Sequence, residues 1–123
     1  MKTYGLIEVI LFVKDMNKMV QFYRDVLDLP LTNSAVSDHT GENWVTFESG
    51  SCLLALHSGG KGDIGPDAPK IVFRVQDIKS ARFQLLESGV TAGEIRSPAP
   101  GISVCDAKDP EGNSFSIEEQ NLE

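Results

Sequence analysis

Two eight-residue stretches, EVILFVKD (Glu8–Asp15) and KIVFRVQD (Lys70–Asp77), share one pattern. Both are rich in β-branched and aromatic residues, which suit a half-buried pleated strand. Both end in an Asp, whose carboxylate can accept an orphan amide from the first turn of a following helix. The same offset of 62 residues relates Glu8 to Lys70, Asp15 to Asp77 and Gly50 to Gly112. Three landmarks in one register indicate an internal duplication. A chain of 123 residues has room for one compact domain, and neither half could bury a sheet alone. The expectation is therefore a single domain with one module over about 4–58, a Gly/Pro-rich connector over 59–69 and a second module over about 70–120.

The order of elements follows from the patterning. After the strand EVILFVK, the segment MNKMVQFYRDVLDL sets Met19, Phe22, Tyr23, Val26 and Leu27 at helical spacing, and Pro30 stops the helix. NWVTFES and SCLLALH read as strands that turn near Gly50, and LPLTNSAV can hold another. Beyond the connector the order restarts. KIVFRVQ is a strand, and IKSARFQLLES is a helix with Ile78, Ala81 and Leu85 on one face, closed by Gly89. GISVCDA and NSFSIEE are strands joined by the turn KDPEGN. The whole is α+β, two copies of strand–helix–strand–strand–strand.

Composition removes several function classes. The net charge of −7 argues against a nucleic-acid partner, which would need a basic stripe, and is compatible with a cationic ligand. No apolar run is long enough to span a bilayer, and MKTYGLIEV lacks the shape of a signal peptide, so a cytoplasmic location is expected. Cys52 and Cys105 are not in CxxC spacing and read as small buried apolar residues. SGGKGD lacks the spacing and context of a phosphate-binding loop, and DPEGN lacks the further oxygen ligands of a calcium loop.

Three stretches, VILFVKDMNKMVQFYRDVLDLPL, IVFRVQDIKSARFQLLESGV and DPEGNSFSIEE, resemble the vicinal oxygen chelate superfamily. That superfamily includes glyoxalase I, bleomycin-resistance proteins, fosfomycin-resistance enzymes and extradiol dioxygenases. The likeness runs from about Leu6 to Glu119, and FYRDVLDLPL and DPEGN are its most specific pieces. It implies two βαβββ modules forming a curved mixed sheet around a cleft that often holds a divalent metal. It also implies a homodimer. Carried over one position at a time, the metal-ligand places fall on Glu8, Lys70, Ser116 and, between two core leucines, Ala55. Of these only Glu8 is a plausible ligand. Lysine is protonated near neutral pH, alanine has no donor atom, and serine offers a neutral hydroxyl. A catalytic metal normally takes about three protein ligands. The expectation is therefore no metal cofactor at these places.

Alternation along the strands puts Glu8, Ile10 and Phe12 on one face and Val9, Leu11 and Val13 on the helix side. In the second copy, Lys70, Val72 and Arg74 take the cleft face; on the later strands Ala55 and His57 lie on that face, as do Ser114, Ser116 and Glu118, with Trp44 and Thr46 expected beside them. Glu8 and Lys70 either form a salt bridge in place of the metal or lie solvated near a sheet edge. His57 with Glu118 could do acid–base work near neutral pH, or His57 is a strand-end residue with a structural role. Arg74 could hold a ligand oxyanion or make a surface ion pair. His39, in the polar loop SDHTGEN, is expected to be solvated.

Two functions follow. In one, a metal-independent module binds a small organic molecule through Glu8, Phe12, Trp44, Lys70, Arg74 and Ser116, as bleomycin-resistance proteins sequester their drug. In the other, the protein is a lyase or isomerase similar to glyoxalase I. That enzyme would use His57 and Glu118 as acid–base groups, or a metal at displaced positions that include Glu8.

Overall fold

The computed structural model describes residues 1–2, 4–36, 43–62 and 68–121, so His39 and the middle of the connector lie outside the described residues. The chain divides into two compact units, Met1–Gly62 and Asp63–Glu123. Each is a βαβββ module with its own four-stranded sheet.

The first module contains β1 (Glu8–Val13), α1 (Met16–Gln21), β2 (Leu31–Val36), β3 (Asn43–Glu48) and β4 (Leu53–Ser58), with sheet order β1-β4-β3-β2. The second contains β5 (Ile71–Arg74), α2 (Ile78–Glu87), β6 (Arg96–Ala99), β7 (Ile102–Lys108) and β8 (Ser114–Gln120), with order β5-β8-β7-β6. In each, the opening strand runs parallel to the last and the other pairings are antiparallel. A parallel pair needs a crossover, and the helix lies on it.

The duplicated landmarks do the same work twice. Asp15 accepts the Lys18 amide at 3.1 Å and Asp77 accepts the Ser80 amide at 3.1 Å, so both helices start on the same cap. Gly50 and Gly112 both take a left-handed backbone, with φ of +95° and +85°. In the DPEGN turn, the buried Asp109 carboxylate accepts the amides of Glu111 and Asn113 at 3.0 and 2.9 Å, and the Asn113 side chain at 2.9 Å. These bonds hold the turn that leads into β8.

The first helix differs from a continuous α-helix. After Gln21 it widens into a π-helical turn, Phe22–Val26, where the Leu27 amide donates to the Phe22 carbonyl at 3.1 Å. The wider turn carries the adjacent Phe22 and Tyr23, and both are buried. Their rings meet edge-on at 5.0 Å, and Tyr23 lies 6.4 Å from Phe47. Val26 and Leu27, from the same stripe, are only half-buried. Asp28, at φ +56°, turns the chain out of the helix before Pro30 is reached. With Val13, Met19, Val45, Leu54 and Leu56, the aromatic side chains form the first core. In the second module Ile78, Leu85, Val104, Phe115 and Ile117 are buried together with Cys105.

β6 is an edge strand that the patterning does not announce. Pro98 sits within it, and an edge is where a sheet tolerates a missing amide donor. No described helix is long and apolar enough to cross a membrane.

Candidate functional site

In the first module, the sheet face away from α1 is built in rows across β1, β4 and β3. Phe12 pairs with His57, which pairs with Trp44, and Ile10 pairs with Ala55, which pairs with Thr46. Glu8 and Leu53 are paired below them. Alternation puts Val9, Leu11 and Val13 on the opposite side, and of these Val13 is fully buried. Ile10 and Phe12 are exposed, Phe12 by 59 %.

The top row is a continuous aromatic strip. Phe12 meets the His57 ring edge-on at 5.7 Å, and Trp44 stacks on its other side at 6.2 Å with 22° between planes. Aromatic pairs in this range add about 0.5–1.5 kcal/mol each beyond area burial. Beside it is an open hollow of about 640 Å³. Trp44 and His57 stand at one end, Glu8 and Leu53 at the other, and Thr32, Asn33 and Thr46 along the side. The Thr32 and Thr46 hydroxyls are 2.8 Å apart, and the Thr32 hydroxyl also donates to the Thr46 carbonyl at 3.1 Å. Four residues singled out in the sequence, Glu8, Phe12, Trp44 and His57, thus share one face, and all but Phe12 line the hollow. Thr32, Asn33 and Leu53 were not legible there, because their place depends on the register of β2 and β4.

The equivalent rows of the second module carry different chemistry. Val72 pairs with Ser116, which pairs with Asp106, and Arg74 pairs with Glu118, which pairs with Val104. Ser116 therefore matches Ala55, Asp106 matches Thr46, Glu118 matches His57 and Arg74 matches Phe12. His57 and Glu118 occupy one equivalent place, each in its own module. Arg74 is exposed, and the Glu118 carboxylate accepts the Gln120 side chain at 2.6 Å.

Asp106 is the hub of this face. It accepts the Ser116 hydroxyl at 2.6 Å, Arg96 at 3.0 and 3.2 Å, and the Lys70 ammonium at 3.2 Å. The Ser116 hydrogen bond, with help from Arg96 and Lys70 against partial burial, holds the Asp106 carboxyl down at about 2. Lys70, expected from the sequence either to pair with Glu8 or to lie solvated near a sheet edge, has Asp106 of its own module as a counter-ion. Asp106 could have been noticed. An Asp in the interior of a strand pattern, GISVCDAK, is disfavoured unless its charge has partners.

The donor set can now be compared with a family-type metal. Ala55 is fully buried and offers a methyl group. The Ser116 hydroxyl is spent on Asp106 and the Lys70 ammonium is paired with it. Only Glu8 is left as a ligand, and among the described residues no group of three His, Cys, Asp or Glu side chains is placed to hold an ion. These residues do not fit a three-ligand centre. Cys52 and Cys105 are free thiols. Cys105 is buried, its thiol is pushed up by that burial, and it donates to the Gly93 carbonyl at 3.3 Å.

Comparison with known proteins agrees with this architecture. No curated protein sequence matches the chain. Among solved structures, an antibiotic-binding protein, TnmS3 from Streptomyces sp. CB03234, is similar over 98 % of this chain and 99 % of its own, with TM-score 0.80 and 19 % identity. The fosfomycin resistance protein FosX from Listeria monocytogenes, complexed with Mn(II) and a sulfate ion, matches 98 % of this chain and 96 % of its own, with TM-score 0.79 and 18 % identity. A glyoxalase family protein from Enterococcus faecalis covers 94 % and 97 %, with TM-score 0.78 and 17 % identity. At such identities the likeness is one of fold. The family itself is fixed by sequence. The profile of the Glyoxalase/Bleomycin resistance protein/Dioxygenase superfamily matches residues 5–117, and the chain belongs to that superfamily, the vicinal oxygen chelate proteins.

Proposed function

We propose that the protein binds a small organic molecule on the β1–β4–β3 face of its first module, and does so without a metal. The observation that carries this reading is the hollow of about 640 Å³ between the Trp44–His57 stack and Glu8. Its size suits a drug-sized ligand, and it combines aromatic surface with a few polar groups, the usual make-up of such sites. Support for metal independence comes from the residues at the family's ligand places. Those places are taken by a methyl group, a committed hydroxyl, a paired ammonium and a single carboxylate. That TnmS3 is an antibiotic-binding protein keeps binding, rather than turnover, as the simpler reading. The reading also takes the protein as a cytoplasmic homodimer that binds no nucleic acid, and light scattering checks its mass.

The test is a small-molecule library screened by thermal shift with EDTA present throughout, since a ligand that binds only the native state raises the midpoint. Hits are mapped by backbone NMR. Hits that shift Phe12, Trp44 and His57 resonances are expected. A library in which every hit needs added metal, or maps elsewhere, defeats the reading.

A further inference from the structure

Helix α2 carries its charges against its own dipole. Lys79 lies in the first turn and Glu87 in the last, with no acidic residue in the first turn and no basic residue in the last. A helix by itself favours the reverse, because its N-terminus is partly positive and its C-terminus partly negative. Both side chains are exposed, and neither has an ion pair among the described residues. Midway between them stands Phe83, 62 % exposed, with Leu86 exposed beside it.

The module's own packing accounts for the rest of the helix. Ile78 and Leu85 are buried. Arg82 donates to the Gly93 carbonyl at 2.7 Å and to Glu94 at 3.5 Å, and the Gln84 side chain donates to the Ser80 hydroxyl at 3.2 Å. Lys79, Phe83 and Glu87 are left over. At a spacing of four residues they form one ridge on the helix surface, with charges of opposite sign on either side of the ring.

Such a ridge is complementary to itself. A twofold axis at Phe83 reverses the helix, so Lys79 of one copy meets Glu87 of the other and Glu87 meets Lys79. Ridges of this kind interdigitate at a crossing angle of about −50°. The partly positive start of each α2 then lies toward the partly negative end of its partner, which offsets the placement of both charges.

We propose that α2 is a self-association surface whose partner is a second copy of this chain, docked antiparallel through Phe83 and Leu86. Burial of the two apolar side chains drives the contact, and the exposed ion pairs set its direction. One short helix offers far less area than a permanent interface, so the association is weak and depends on concentration. Where another face already joins two copies, the α2 contact doubles that assembly. The surface belongs to the second module and the ligand hollow to the first, so the two readings stand or fall separately.

The test is sedimentation of the intact protein from 10 µM to 1 mM. The mass of the native chain is expected to rise with concentration toward twice that of Phe83→Glu, whose mass stays constant. Lys79→Glu and Glu87→Lys each set like charges opposite one another in the antiparallel pair, and each should weaken self-association about tenfold. Mixing these two variants one to one restores it, because an all-acidic ridge then faces an all-basic one. The double variant Lys79→Glu/Glu87→Lys covers a single variant that fails to fold, and should associate as the native chain does. A native mass that does not change with concentration, an equal rise in Phe83→Glu, single variants that associate undiminished, or a mixture that restores nothing overturns the proposal.

Discussion

Replacing Asp106 by Asn removes one charge from the centre of the second module's face and leaves Lys70 and Arg96 without their counter-ion. The size of the effect follows from the carboxyl's proton affinity. A group lowered from 3.8 to about 2 by folding has gained at most about 2.4 kcal/mol for its ionised form, at ~1.36 kcal/mol per tenfold. Asp106 is half-exposed, its side chain 49 % accessible, so solvent screens the pairs and about 1 kcal/mol is the realistic figure. Because the folded value is depressed, this stabilisation is fully present above pH 3.8 and is lost as pH falls toward 2. Asp106→Asn should therefore lower the midpoint by about 3–5 °C at pH 7 for a chain of this size, by less at pH 3, and by almost nothing near pH 2. Thermal melts at the three pH values, with a carboxyl-carbon NMR titration of Asp106, measure both sides of the argument. An Asp106 that titrates at 3.8 or above, or a cost that does not change between pH 7 and pH 3, would refute it.

Further outcomes follow from the packing. Phe47→Ala deletes a fully buried ring that meets Tyr23 and should cost about 3–5 kcal/mol in a denaturant melt. Asp77→Ala removes the α2 cap on the Ser80 amide and should cost about 1 kcal/mol, with Asp77→Asn close to neutral. In the native state Ellman's reagent should modify Cys52 faster than Cys105, because the latter is buried and its thiol resists ionisation. Two thiols reacting at one rate would contradict that assignment.

The fold was largely legible because it is written twice. Asp15 and Asp77, Gly50 and Gly112, and the two opening strands keep one offset, and in each module they perform the same local task. Strand alternation placed Glu8, Phe12, Trp44 and His57 on a shared face before any register was known. The π turn at Phe22–Val26 was not legible, since a helical stripe does not distinguish an i to i+4 ladder from a local i to i+5 one. β6 escaped because its Pro98 and exposed residues resemble a loop. The hub needed all four strands of the sheet in register: Asp106 is on β7, Ser116 comes from β8 and Arg96 from β6, and Lys70 leads into β5. Sequence spacing holds no trace of such a meeting.

The most direct test of metal-independent binding is the metal stoichiometry of the purified protein. The chain is stripped with chelator, equilibrated with Zn, Ni, Mn or Fe, desalted, and measured by elemental analysis alongside Glu8→Ala. Since the family's ligand places hold Glu8, the methyl group of Ala55, a committed Ser116 hydroxyl and a paired Lys70, well below one ion per chain is expected for every metal, with no difference in the variant. One tightly held ion per chain that disappears in Glu8→Ala would contradict it.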